Sequence, residues 1–292
     1  MPHLSMIPSF LREVTCARTF PREPEPALVM DGKAEVAAYT EAGRIDGVMA
    51  AAYLFHSARV SQAIHGCQNV IDLGCGPATQ LAQVAELNPD ISFHGVDLSP
   101  AMLESAGAHI RESGLKNVQF SQGDITRLDH IANHSADAVI STMALHHLPT
   151  FDHLTSCFRE IRRVLKPSGA VYLTDFGRLK SLKSVLYFAY MNAKQQPHLF
   201  SLDYERSLRA AFLPEDFQRA AQEHLPGQVQ MFSTFMMPLL IILKTEDKPL
   251  PETLRLKIRA MRKALPARYR RDLDDIRTFF RLGGLGNDPF SG

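Results

Sequence analysis

The run Val70-Ile71-Asp72-Leu73-Gly74-Cys75-Gly76-Pro77-Ala78-Thr79 holds the residues best placed to do chemistry. A β-branched apolar stretch that stops in glycines and restarts as a helix lets backbone approach a ligand where any side chain would stand in the way. The helix that follows offers free N–H groups and the positive end of its dipole to a polar or anionic ligand. Glycine turns also serve as plain connections, and aspartates at strand–helix junctions also serve as helix caps. Here the neighbours weigh against those simpler uses. Asp97 ends the next apolar run, and Asp124 ends the one after it. Successive parallel strands bring their carboxyl ends to one sheet edge, where α/β proteins bind ligands. An acidic residue at the second strand end is placed to accept hydrogen bonds from two ribose hydroxyls.

A fourth apolar run, Ala136 to Thr142, leads into Met143-Ala144-Leu145-His146-His147-Leu148-Pro149. His146 or His147 can act as a general base at that edge, or simply pack and hydrogen-bond there. Ser141 and Thr142 stand where a divalent-metal site would need carboxylates, so no metal is expected. Cys16, Cys67, Cys75 and Cys157 are scattered without a C-x-x-C pair, which argues against a disulfide framework or zinc site and fits a reducing cytoplasm.

These residues need elements to hold them. Short apolar runs at 69–73, 91–96, 118–122, 136–142 and 170–175 read as buried strands, and the segments between them read as helices. Ser99 with Pro100 marks a helix start, and Lys166-Pro167-Ser168-Gly169 marks a helix stop. Alternation over about a hundred residues predicts a parallel, doubly wound sheet. Two further runs, Val229 to Phe235 and Leu239 to Leu243, predict an antiparallel edge. The expected fold class is therefore α/β: a doubly wound, mostly parallel seven-stranded sheet with an antiparallel edge strand, an N-terminal helical cap and a helical insertion after strand five.

Asp72-Leu73-Gly74-Cys75-Gly76, Gly95-Val96-Asp97-Leu98-Ser99, Gly123-Asp124-Ile125 and Leu165-Lys166-Pro167-Ser168-Gly169 come in an order that resembles the motifs of class I, Rossmann-like methyltransferases that use S-adenosylmethionine (SAM). The small-molecule branch of ubiquinone and menaquinone biosynthesis is the most similar, and the resemblance covers residues 65 to 175. It implies that Gly74 and Gly76 pass under the methionine part of the cofactor, and that Asp72, Cys75 and Thr142 also belong to the cofactor-binding residues. Asp97 would hold the ribose, Leu98 and Met102 would flank the adenine, and Asp124 would bond its amine beside Ile125. Tyr39 and Arg44, on a helix ahead of the first motif, would close over the cofactor, with Arg44 either meeting its carboxylate or lying on the surface. Ala78 departs from the pattern, which often has a third glycine there.

The expected organisation is an N-terminal arm and cap helices at 1–64, a SAM-binding core at 65–177, a helical lid or acceptor insertion at 178–226, terminal strands at 227–245 and a basic helical extension at 246–292. The proline-rich first thirty residues read as an extended arm. Tyr187, Phe188, Tyr190, Phe200, Tyr204, Phe212 and Phe217 populate the insertion; most must pack it onto the sheet, while some would face an apolar or aromatic acceptor, Tyr190 being the ring singled out. The stretch 251–282 carries ten Lys/Arg against four Asp/Glu, over apolar residues at helical spacing. It reads as an amphipathic helix docked on its own domain, with a homodimer arm as the alternative. A net charge of +1 for the whole chain gives no field for nucleic acid or membrane. The N-terminus has no basic region or small-residue cleavage site of a secretory signal, and the apolar stretch at 235–243 is too short to span a bilayer. Methyl transfer to a small metabolite is the reading preferred. Other SAM chemistry, such as displacement on the aminobutyryl chain, and a non-catalytic partner protein are the alternatives.

Overall fold

The computed structural model describes residues 6–17, 19–26, 32–43 and 47–291, with backbone alone at 33, 35, 38 and 39. Helices α1 (Ile7–Thr15), α2 (Lys33–Ala42) and α3 (Ala50–Ile64) precede the sheet. Strand β1 (Asn69–Leu73) leads through α4 (Thr79–Leu87) to β2 (Ser92–Asp97), and through α5 (Pro100–Glu112) to β3 (Val118–Gln122). The chain then returns to β4 (Ala136–Thr142), beside β1, and through α6 (Phe151–Val164) to β5 (Leu165–Phe176). These five strands pair in parallel. The reversal of order between β1 and β4 opens a crevice above their carboxyl ends.

Insertion helices α7 (Leu182–Tyr190), α8 (His198–Ala210) and α9 (Pro214–His224) follow, then β6 (Gln230–Ser233), β7 (Leu240–Lys244), α10 (Glu252–Ala264) and α11 (Ala267–Leu282). The seven-stranded order is β3-β2-β1-β4-β5-β7-β6. The reversed strand is β7, antiparallel to both neighbours, and β6 forms the outer edge.

Period-two alternation builds two cores. Val70, Phe93, Ile140, Tyr172 and Ile242 pack with α3 and α4, whereas Ile71, Val96, Val139, Leu173 and Leu243 pack with α6 and α9. Helix α3 is buried along nearly all its length because α11 covers its outer side. Phe55 stacks on Phe280 with ring centroids 5.2 Å apart. The buried Arg59 donates to the carbonyls of Gly286 and Asn287, so the end of the chain satisfies donors at Nη1 while Asp247, 3.9 Å away, meets its charge. The extension thus docks on its own chain, and Arg262 and Arg277 both pair with Asp274 on α11 itself.

Two expectations are corrected. The N-terminal residues are not wholly extended, because 7–15 form a helix whose Pro8 lies in the first turn, where a missing N–H leaves nothing unsatisfied. Its buried Glu13 accepts the N–H groups of Lys180 and Ser181 just ahead of α7. The insertion does not act as one roof either. Phe212 and Phe217 are fully buried in the α6 layer, so α9 belongs to the core and only α7 and α8 reach the crevice.

Candidate active site

Past β1 the backbone turns through Gly74 (φ 70°) and Gly76 (φ 52°). A Cβ on Gly74 would stand 2.3 Å from that of Ala144, so the close approach of this turn to the β4 end requires glycine. Ala78 starts α4 at φ 56°, a left-handed conformation that costs alanine about 1 kcal/mol or more. Asp97 locks the loop from the next strand. Its Oδ2 accepts the Gly76 N–H at 2.8 Å and its Oδ1 the Ser99 N–H at 2.9 Å. The Leu98 N–H also bonds this carboxylate, which still keeps acceptor capacity for a ligand. Burial raises the Asp97 carboxyl above its ordinary value, against the pull of those N–H groups. Ser99 caps α5 through the Met102 N–H, and Asp124 accepts the N–H and hydroxyl of Thr126 at 2.8 and 2.7 Å.

A cavity of about 170 Å³ lies on this edge. Gly74, Gly76, Asp97, Leu98, Met102, Asp124 and Ile125 all line it, with Met143, Ala144 and His147 beside them. A recess of about 30 Å³ shares the two glycines and gathers Asp72, Cys75 and Thr142. The Asp72 carboxyl is pushed up to about 7 by burial and by Asp97. Burial, with Asp72 and Asp97 nearby, drives the Cys75 thiol well up, so it packs as a neutral group rather than acting as a nucleophile. Tyr39 contributes only its backbone to α2; its side chain and all of Arg44 lie outside the described residues.

A second cavity, about 400 Å³, opens over β5 and β7. Its walls are Phe10 of α1, Met49, Phe176, Tyr187 and Phe188 of α7, Tyr204 of α8, Met237, and Ile276 and Phe279 of α11. Met143 lines both cavities. Between them sits a narrow recess walled by Met143, His146, His147, Phe176, Asp203 and Tyr204. Tyr190 is not part of any of these walls. It sits at the end of α7, where its hydroxyl donates to Glu205 at 2.8 Å.

His146 and His147 have different surroundings. His146 is 2% exposed. Its backbone N–H donates to Asp175 Oδ2 at 3.0 Å, and its Nδ1 lies 2.6 Å from Asp175 Oδ1. His147 has its Nδ1 3.0 Å from Glu25 Oε2. Glu25 also accepts the Ser207 hydroxyl and lies 3.9 Å from His146 Nε2. Arg22 fastens this N-terminal strap by donating to the carbonyls of His146, Leu148, Pro149 and Ala210 and stacking on Phe212. Among the described residues, Glu25, His146 and His147 are the group whose metal-ligating atoms fall within 4.8 Å of one another. Asp175, Glu25 and Arg22 were missed in the sequence. Asp175 ends a parallel strand just as Asp97 does and was open to the same reasoning. Nothing in the spacing ties Arg22 or Glu25 to a histidine pair so far downstream.

A family model described as a methyltransferase domain matches residues 64–220. A trans-aconitate 2-methyltransferase of Deinococcus radiodurans is 39% identical over 102 residues, covering 35% of this chain and 35% of that protein. A demethylmenaquinone methyltransferase of Lactococcus lactis is 36% identical over 104 residues, covering 35% of this chain and 40% of that protein. The chain matches well under half the length of these relatives. The crystal structure of a SAM-dependent methyltransferase from Aquifex aeolicus shares the fold, with a TM-score of 0.51 at 14% identity, over 70% of this chain and 96% of that one.

Proposed function

The chain belongs to the SAM-dependent methyltransferase-domain family, and we propose that it methylates a small, apolar or aromatic metabolite by metal-independent in-line displacement. The observation that carries this reading is the meeting of two unlike cavities at Met143, one lined by the nucleotide-type motifs and the other by apolar and aromatic side chains. The first cavity fits the cofactor, because it is lined by a glycine turn held against Ala144 at the β4 end and by a carboxylate aimed by backbone N–H groups. Asp97 would take the ribose hydroxyls, Leu98 and Met102 the adenine faces, and Asp124 with Ile125 the amine edge. Asp72 would receive the ammonium group, since a cation beside it offsets the burial and the Asp97 charge that raise its carboxyl to about 7. Tyr39 and Arg44 would close this side.

SAM supplies a methyl group on an activated sulfonium, so the chain's part is to align the acceptor and keep water out. Tyr187 and Tyr204 stand at the acceptor cavity for that purpose, with α7 and α8 as the lid. The metal-independent reading is supported at the β4 end by Ser141 and Thr142, which stand in place of the carboxylates a divalent ion would take. The preferred acceptor is a small molecule, with neither nucleic acid nor membrane involved, and four free cysteines fit a cytoplasmic setting. No helix among the described residues is long and apolar enough to cross a membrane.

Incubation with SAM and a panel of apolar phenols, acids and amines in the presence of EDTA is expected to yield S-adenosylhomocysteine (SAH). Methylthioadenosine in its place would point to displacement on the aminobutyryl chain, and activity restored only by magnesium would sink the metal-independent reading. Among the insertion rings, Tyr204→Ala and Tyr187→Ala are expected to reduce turnover at least tenfold with SAH affinity little changed. Tyr190→Ala should do less, because its hydroxyl is held at Glu205. Equal and normal activity in all three variants would leave the insertion as scaffold.

A further inference from the structure

The narrow recess between the two cavities is where a methyl group and an acceptor would meet, and it contains a contact that no motif anticipated. The ring of His147 lines both the cofactor cavity and this recess. Its Nδ1 is engaged by Glu25 at 3.0 Å, which leaves Nε2 as the ring atom able to take a proton. Glu25 is itself held, by the Ser207 hydroxyl on one side and by the Arg22 clamp three residues earlier on the strap. His146 stacks against His147 with ring centroids 4.3 Å apart but is locked by Asp175 at both its N–H and its Nδ1. One histidine is therefore fixed as support, and the other is poised.

We propose that His147, oriented by Glu25 of the N-terminal strap, is the general base of the methyl transfer, and that the acceptor is a phenolic or enolic hydroxyl on an apolar body. This rests on the methyltransferase reading above. In such a dyad the carboxylate fixes the tautomer that carries hydrogen on Nδ1 and stabilises the imidazolium that forms. The acceptor oxygen bonds to the methyl carbon as the carbon–sulfur bond breaks, the electron pair of that bond goes to sulfur, and the hydroxyl proton goes to His147 Nε2 and then to solvent. The acceptor class follows from which nucleophiles need this help. A carboxylic acid is already ionised at neutral pH and needs no base, whereas an alkylamine arrives as an ammonium ion, a charge that an apolar, aromatic-lined cavity disfavours. A phenol ionises near pH 10, like tyrosine, and attacks well only once a base takes its proton. Tyr187, Phe188, Tyr204 and Phe279 give that hydroxyl's carrier an aromatic-lined cavity.

The groups facing His147 set its pH dependence. Burial disfavours its proton, but Glu25 above all, with Asp203 of α8 and Asp175 of β5, outweighs burial and raises its pKa above the ordinary 6.5. Asp97 of β2, Arg22 of the strap and the neighbouring His146 complete the charged surroundings. A base must be neutral to act, so the rate should rise with pH through this raised value. Replacing Glu25 by Gln should move the rising limb to lower pH and reduce the plateau.

The test uses the full chain saturated with SAH, so that no acceptor has to be known. Imidazole NMR titration should give His147 a midpoint above 6.5 in the wild type, lower in Glu25→Gln and partly restored in Glu25→Asp. An unactivated phenol, ionising at about pH 10 like tyrosine and followed by its phenolate absorbance, should bind the wild-type complex ionised at a pH above the His147 midpoint where the free phenol is still protonated, and His147→Gln should lose that ionisation. A His147 midpoint unmoved by Glu25→Gln overturns the dyad. So does a wild-type complex that leaves the phenol unbound or un-ionised. Stoichiometric zinc binding, lost in both variants, would instead assign the cluster to a metal and overturn it. Calorimetry on the same samples separates the two levels, because a wild type that fails to bind SAH overturns the methyltransferase reading itself.

Discussion

Asp97→Ala should weaken SAH binding by roughly thirtyfold or more, on the order of 2 kcal/mol. The substitution removes two acceptors at once and leaves two ribose hydroxyls unpaired in a cavity partly closed to water. It also releases the Gly76 and Ser99 N–H groups that Asp97 now accepts, so part of the loss comes from a looser glycine turn. Asp97→Asn separates these contributions. An amide of the same size keeps one acceptor oxygen for the loop or the ribose but not two, so its affinity should fall between those of the wild type and the alanine variant. Calorimetric titration that finds Asp97→Ala as tight as the wild type would move the cofactor away from this edge altogether.

The meeting of the glycine turn, Asp97 and Asp124 at one edge was legible because its requirements are local. A glycine needed for close approach, an aspartate ending a strand and a serine–proline helix start each announce themselves within a few residues. Five parallel strands then place them together, since the β ends of a doubly wound sheet share one edge by topology. The helices between the parallel strands were equally readable, from the serine–proline start of α5 to the stop after α6. What escaped was long-range. Whether Glu25 reaches the histidines depends on how a proline-rich strap crosses the sheet edge, and no period or cap records that path. Whether Phe217 roofs a cavity or fills a core depends on which side of the sheet α9 takes, and an amphipathic stripe reads the same on either side. Pro8 misled for a different reason, since proline both interrupts helices and begins them, and only the structure shows which it does.

The C-terminal extension gives the largest expected stability effect and a direct test of what it is for. Phe280 is fully buried, stacked on Phe55 of α3, which lies against the sheet. Phe280→Ala should therefore cost about 3–5 kcal/mol through lost transfer and the cavity left behind, read as a lower urea midpoint. The neighbouring Phe279 is only half-buried: it stacks on Phe10 of α1 and lines the cavity proposed to take the acceptor. Phe279→Ala should cost far less stability yet change turnover or acceptor choice. If α11 were an arm for a second copy, the Phe280 contact would be supplied between chains, and the unfolding midpoint of the wild type would rise with protein concentration. Docking on its own chain predicts a midpoint independent of concentration, with the Phe280→Ala deficit constant across the range. The same geometry explains why a basic extension need not seek an acidic partner, since Arg262 and Arg277 already meet Asp274, and Arg277 also meets Asp288. Removing α11 would take one wall from the acceptor cavity and the cover from α3 together, so a truncated chain should lose acceptor turnover and stability in the same step.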